Sequence, residues 1–195
     1  MQQSREYIFK QRIRLLYVST VKQYKHQWHL IEAVAQLKEQ GFPLELHLIG
    51  SGDRPALKRM HKAIQEKNSL SEFVYYHGGL SHLETLEWYK KVDIFAYPSS
   101  CENLPNILLE AMAAGLPIAC SDRGPMPEVL RDAGVYFNPE QPDSIASSLK
   151  LLLQDKLLRK TLGSKALSLS KAYSWERCAQ ETFSFLSFVH KHYFL

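Results

Sequence analysis

No apolar run in this sequence reaches the ~20 residues that a membrane-spanning helix needs. Residues 1–10 lack the apolar core of a secretory signal, which predicts a cytoplasmic protein. Cysteine is scarce: Cys101, Cys120 and Cys178 are odd in number, unevenly spaced and in no C-x-x-C pair. That argues against a disulfide framework or a zinc site and fits a reducing compartment. The glycine-rich dinucleotide fingerprint G-x-G-x-x-G does not follow the first apolar run, and no Walker lysine or nucleophile elbow is present. His26/His29, His77/His82 and His190/His192 form no metal-ligand spacing, so capping or surface roles are expected for them and no metal is expected. Neither sign of charge dominates: 24 Lys+Arg face 20 Asp+Glu. A surplus of four is too small to argue for nucleic acid, though it mildly favours anionic ligands.

What is present is an ordinary globular balance, 45% hydrophobic and 23% charged over 195 residues. That length suits one domain, able to bury roughly 70% of its unfolded surface. After a polar stretch over residues 1–11, read as a linker or tail, short apolar runs alternate with helical periodicity. Strands are expected at residues 13–19, 44–49, 73–76, 93–97, 117–120 and 135–137. Helices are expected between them, one capped by the box Ser81/Glu84, and the pattern is helical from Asp143 onward. Such alternation implies βαβ units, hence an α/β fold: a doubly wound, parallel, Rossmann-like sheet of about six strands with C-terminal helices. Ligands of such sheets lie beyond the carboxyl ends of the strands, which here means loops 19–25, 50–53, 77–80 and 98–105.

The most informative segment is residues 98–115. Pro105 suits the first turn of a helix and Gly115 the residue past its end. Glu110 is the only charge on that helix, which otherwise reads as apolar all round and therefore buried. Glu102 precedes it, at the mouth. If both were helical they would lie roughly 80° apart around the axis. The helix start between them offers unpaired N–H groups, a seat for phosphate. A structural alternative makes Glu110 half of an internal salt bridge and Glu102 a solvated loop residue. Lys22 and Lys25 could neutralise a diphosphate, or simply be surface lysines. Gly50-Ser51-Gly52 permits close backbone approach to a ligand, or forms a plain turn.

The Glu102-to-Glu110 segment, continuing Glu-Ala-Met-Ala-x-Gly-x-Pro to Pro117, resembles the E-x7-E motif of family 4 (group 1) retaining glycosyltransferases of GT-B fold. The resemblance runs from about Arg12 to Phe188 and includes His47-Leu-Ile-Gly-Ser-Gly52, Tyr76-His-Gly-Gly79, Asp93-Ile-Phe-Ala-Tyr-Pro-Ser99, Pro127-Glu-Val129 and Tyr173-Ser-Trp175. It implies that Glu102 contacts donor-sugar hydroxyls and is the catalytic-site carboxylate, that Glu110 holds the ribose, and that Lys25 grips the diphosphate. Backbone near Leu104, Pro105 and Asn106 would frame the phosphates, with Gly50 beside them. The loop at His77 to Leu80, with Gly78 and Leu80, would lie against the base. Two departures stand out. Ser19-Thr20 replaces the family's Gly-Arg, so Lys22 is expected to stand in for the arginine. Asn103-Leu104-Pro105 replaces Gly-Phe-Gly, which alters the sugar side.

The resemblance further implies that this sequence corresponds to the second of two domains, with the acceptor site in the first. The function expected is donor binding for a retaining hexosyltransferase in glycan or polysaccharide synthesis. The donor is a nucleoside-diphosphate sugar, no cofactor is expected, and the intact enzyme has scope to sit peripherally on a membrane. The division expected is 12–172 for the donor-binding domain and 173–195 for a helix crossing to the first domain. That helix, capped by Ser174, carries Phe183, Phe185, Leu186 and Val189, whose exposure would favour self-association. Rival readings are a non-catalytic nucleotide-binding or partner-docking module and another doubly wound protein. The absent glycine fingerprint argues against a dehydrogenase.

Overall fold

The computed structural model describes residues 12–68 and 71–193. The expected tail, residues 1–11, lies outside the described residues. The strands are β1 (Ile13–Val18), β2 (Leu44–Ile49), β3 (Val74–Tyr76), β4 (Ile94–Tyr97), β5 (Ile118–Ser121) and β6 (Gly134–Phe137). All pair in parallel, in the order β3-β2-β1-β4-β5-β6. The helices are α1 (Gln27–Glu39), α2 (Arg54–Lys67), α3 (His82–Tyr89), α4 (Asn106–Ala113), α5 (Met126–Leu130), α6 (Pro142–Gln154), α7 (Lys156–Ser170) and α8 (Trp175–Tyr193).

β1 reads as a near-continuous apolar run because helices cover the sheet on both faces. Leu15 and Leu16 are fully buried; Leu15 registers with Leu46 on one side and Ile94 on the other. Burial of each such side chain stabilises the fold by about 1.5–3 kcal/mol. α1 packs against α2 and α6, and α4 packs against α5 and α7. The two expected caps hold: Ser81 and Glu84 form a complete capping box on α3, and Ser174 accepts from the Arg177 N–H to open α8. Asp53, not singled out in the sequence, accepts from the Ala56 N–H to open α2.

Two elements escaped the sequence reading, a 3-10 turn at Gln23–Lys25 and the five-residue α5. One of the histidines departs from the expected surface or capping role: His77 is half-buried. It stacks on His47 of β2 at 5.3 Å between ring centroids, and Trp88 of α3 lies 4.6 Å from His47 and 4.4 Å from His77. His47 Nδ1 lies 3.1 Å from His77 Nε2, so one ring donates and the other accepts. Burial first, then the proximity of His77, pushes the His47 imidazole down to about 4; burial also lowers His77. Glu45, 3.7 Å from His47 Nε2, opposes this, but Arg12 and Arg14 already engage its oxygens.

The fold therefore favours neutral His47. Above pH ~6.5 it is neutral folded or unfolded and no stability is lost. As pH falls from 6.5 towards 4 the unfolded chain takes up a proton that the fold refuses, and stability drops by about 2–3 kcal/mol. Denaturant midpoints at pH 7 and pH 4.5 test this: His47→Phe should flatten the slope, and an unchanged slope would place its origin elsewhere.

Candidate active site

The strand order reverses between β1 and β4, and the crevice at their carboxyl ends is where doubly wound sheets bind ligands. The four expected loops meet there as one hydrogen-bonded rim. Ser19 N–H donates to Ile49 O at 2.8 Å, Val21 N–H to Ser51 O at 2.7 Å, and Gly50 N–H to Gly78 O at 2.7 Å. Ser100 N–H donates to Tyr24 O at 2.9 Å, tying the loop after β4 to the loop after β1. Glycine is required at two points of this rim. Gly50 has φ +138°, and a Cβ there would stand 2.0 Å from the Ser19 carbonyl oxygen; one on Gly52 would stand 2.6 Å from the Val21 Cβ. So Gly50 serves first to let β1 and β2 loops touch. Leu80 is half-buried, packed against the core below the rim.

Lys25 and Glu102 meet across this crevice. The 3-10 turn carries Lys25, only 8% exposed, and its Nζ forms an ion pair with Glu102 Oε1. Tyr97, the last residue of β4, donates its hydroxyl to the same oxygen at 2.7 Å. Tyr17 of β1 donates to the Lys25 carbonyl at 2.8 Å, and the Tyr17 and Tyr97 rings meet edge to face at 5.9 Å. Burial, followed by the adjacent Glu102 carboxylate, holds the Tyr97 phenol far above its ordinary value, so it stays protonated and donates. His26, expected in a surface or capping role, occupies the N-cap position of α1; it is buried with φ 51°, its Nε2 2.9 Å from Ser100 Oγ.

Glu102 is thus not the solvated residue at the mouth. Its side chain is 14% exposed, against 26% for Glu110. It lies in the loop ahead of α4, so helical geometry does not relate the two acids. Buried partners on the 3-10 turn and at the end of β4, invisible to periodicity, decide this.

α4 is not buried all round either. Leu108, Ala111 and Met112 face the core, while Asn106, Leu109, Glu110 and Ala113 line an open cleft of about 840 Å³ whose far wall is α8. That volume falls within the ordinary range for ligand sites. Glu110 Oε2 accepts from the buried Tyr89 hydroxyl at 3.0 Å, and Oε1 lies 3.8 Å from His82 Nδ1. The internal salt bridge belongs to Glu102, not to Glu110.

Pro105 sits one residue before the helix, as its N-cap. Asn106 N–H donates to Leu104 O and Leu108 N–H to Pro105 O, both at 2.9 Å, so two of the first three helical N–H groups are already engaged. Lys22 is drawn to Asp53 at 3.2 Å, an exposed pair of little energetic weight. Sequence reading passed over Tyr17, Tyr89 and Tyr97. The available signal was a tyrosine inside an apolar strand or helix, whose buried hydroxyl needs a partner. Among the described residues no group of three or more His, Cys, Asp or Glu could hold a metal ion.

The chain is 30% identical to the O-antigen chain mannosyltransferase B of Escherichia coli over 167 residues, 86% of this chain and 44% of that protein. It thus spans less than half the length of this relative. Among solved structures, sucrose-phosphate synthase from Thermosynechococcus elongatus superposes with a TM-score of 0.81 at 22% identity, covering 92% of this chain and 46% of that one. Anabaena HepE, in complex with UDP and glucose, gives 0.80 at 21% identity, covering 90% and 48%. These likenesses bear on the fold. Residues 2–168 match the family described as glycosyl transferases group 1, and the chain belongs to that family.

Proposed function

We propose that this chain is the nucleotide-sugar-binding half of a retaining hexosyltransferase of GT-B architecture. The observation that carries the reading is the constellation at the switch point. A buried cation, Lys25, and two partly buried acids, Glu102 and Glu110, flank the start of α4. Lys25 takes the diphosphate, which lies against the N-terminal end of α4 beside Leu104, Pro105 and Asn106. Glu102 takes sugar hydroxyls and Glu110 the ribose, while Gly78 and Leu80 lie towards the base. Positive charge for the diphosphate comes from lysine and helix end, so donor binding needs no metal and should survive a chelator. The E. coli relative is a mannosyltransferase and the Anabaena neighbour is in complex with UDP and glucose, which supports a hexose nucleotide as donor. A non-catalytic nucleotide-binding module would have no use for a carboxylate against its diphosphate seat.

α8 fits the same reading. None of its residues is buried, and Trp175, Phe183, Phe185 and Leu186 are exposed. The half of the enzyme that carries the acceptor site covers this face. Among the described residues no helix is long and apolar enough to cross a membrane.

The test is calorimetry with uridine, guanosine and adenosine diphosphates. Glu110→Gln should weaken the best ligand by about 1.5–3 kcal/mol, because a charge-assisted contact to ribose is lost. Its melting temperature should stay near that of the wild type. Unchanged affinity would remove Glu110 from the ribose.

A further inference from the structure

Glu102 Oε1 is engaged twice, by Lys25 Nζ and by the Tyr97 hydroxyl at 2.7 Å. Tyr97 is itself almost fully buried, anchored at the end of β4 and packed edge to face on Tyr17. Its phenol cannot follow a moving carboxylate. It fixes the acid in one place, against the lysine, with Oε2 left over for a ligand. Two consequences follow from charge. An ammonium has three donors, so Lys25 can keep Glu102 and still receive a phosphate oxygen. A carboxylate held beside that ammonium nevertheless repels a nearby diphosphate, and in a partly buried site this is felt strongly.

We propose that Tyr97 is a positioning residue that makes the site discriminate between the intact donor and the spent nucleoside diphosphate. It does so by holding Glu102 beside Lys25. This rests on the nucleotide-sugar reading above. With the sugar in place, its hydroxyls donate to Glu102 Oε2 and offset the repulsion. Without the sugar, the repulsion stands alone and the product leaves. The discrimination is therefore a property of the Tyr97–Glu102–Lys25 triplet rather than of Glu102 alone.

The experiment measures dissociation constants of the full chain for a nucleoside diphosphate and for its hexose conjugate. The readout is the ratio of the two, which a general loss of stability does not move. Tyr97→Phe removes one oxygen and keeps the ring. It should shrink the preference for the conjugate about fivefold, through looser binding of the conjugate with the diphosphate unchanged or tighter. Glu102→Gln should go further, binding the bare diphosphate several-fold more tightly as the repelling charge is lost. Equal weakening of both ligands by Tyr97→Phe, or an unchanged ratio, would overturn the proposal while leaving the nucleotide-sugar reading intact. A wild-type chain that binds neither ligand would overturn both.

Discussion

Replacing Gly50 by alanine is expected to lower the stability of the chain by about 3 kcal/mol or more, a loss of roughly 6–12 °C in melting temperature for a domain of this size. Two costs combine. At φ +138° an L side chain is strained, and the new Cβ would stand 2.0 Å from the Ser19 carbonyl oxygen. That atom belongs to backbone and cannot swing aside as a flexible side chain could. The β1 loop must move, and it carries the turn that holds Lys25. Nucleotide binding should therefore fail in any fraction that still folds. Circular dichroism melts with parallel calorimetry check this. A variant that melts normally and binds normally would mean that the β1–β2 rim tolerates far more displacement than its geometry allows.

The second large effect is a failure. This chain by itself should bind a nucleoside diphosphate weakly and transfer no sugar. On the proposed reading, binding draws on Lys25, Glu110 and the α4 end, all of which lie in this chain. Transfer needs an acceptor oxygen held near the anomeric carbon, and such orientation is worth roughly 7–11 kcal/mol of a barrier. Closure of a second domain also excludes water, which otherwise competes as acceptor. Slow donor hydrolysis is the most to expect. Incubation of the purified chain with labelled sugar nucleotides and mixed acceptors is the measurement. Glu102-dependent transfer at an appreciable rate would show that one half suffices.

The sheet was legible because its signals are local. The apolar runs at β1, β2 and β4, the Ser81/Glu84 box and the Ser174 cap each depend on residues within one turn or one strand. α5 was missed because five residues with a proline carry no period to read. The site was legible as a set of loops, since parallel sheets place ligands at one edge, but not as a set of contacts. The relative burial of Glu102 and Glu110 came out reversed. It depends on Tyr97 and Lys25 reaching one and on an open cleft facing the other, and neither is written in the spacing of residues 98–115. Likewise α4 is as apolar as a buried helix, yet one of its faces opens on the cleft. Hydrophobicity says that a face needs covering without saying what covers it.

The ion pair at the crevice joins residues 77 apart in sequence, with β2, β3, β4 and three helices threaded between them. Such a contact cannot exist in either segment alone. The site is accordingly complete only when β4 has docked beside β1. A nucleotide that bridges Lys25 and Glu110 would act as a clasp on that docking. Its stabilisation should appear as slower global unfolding rather than as stiffening of one loop.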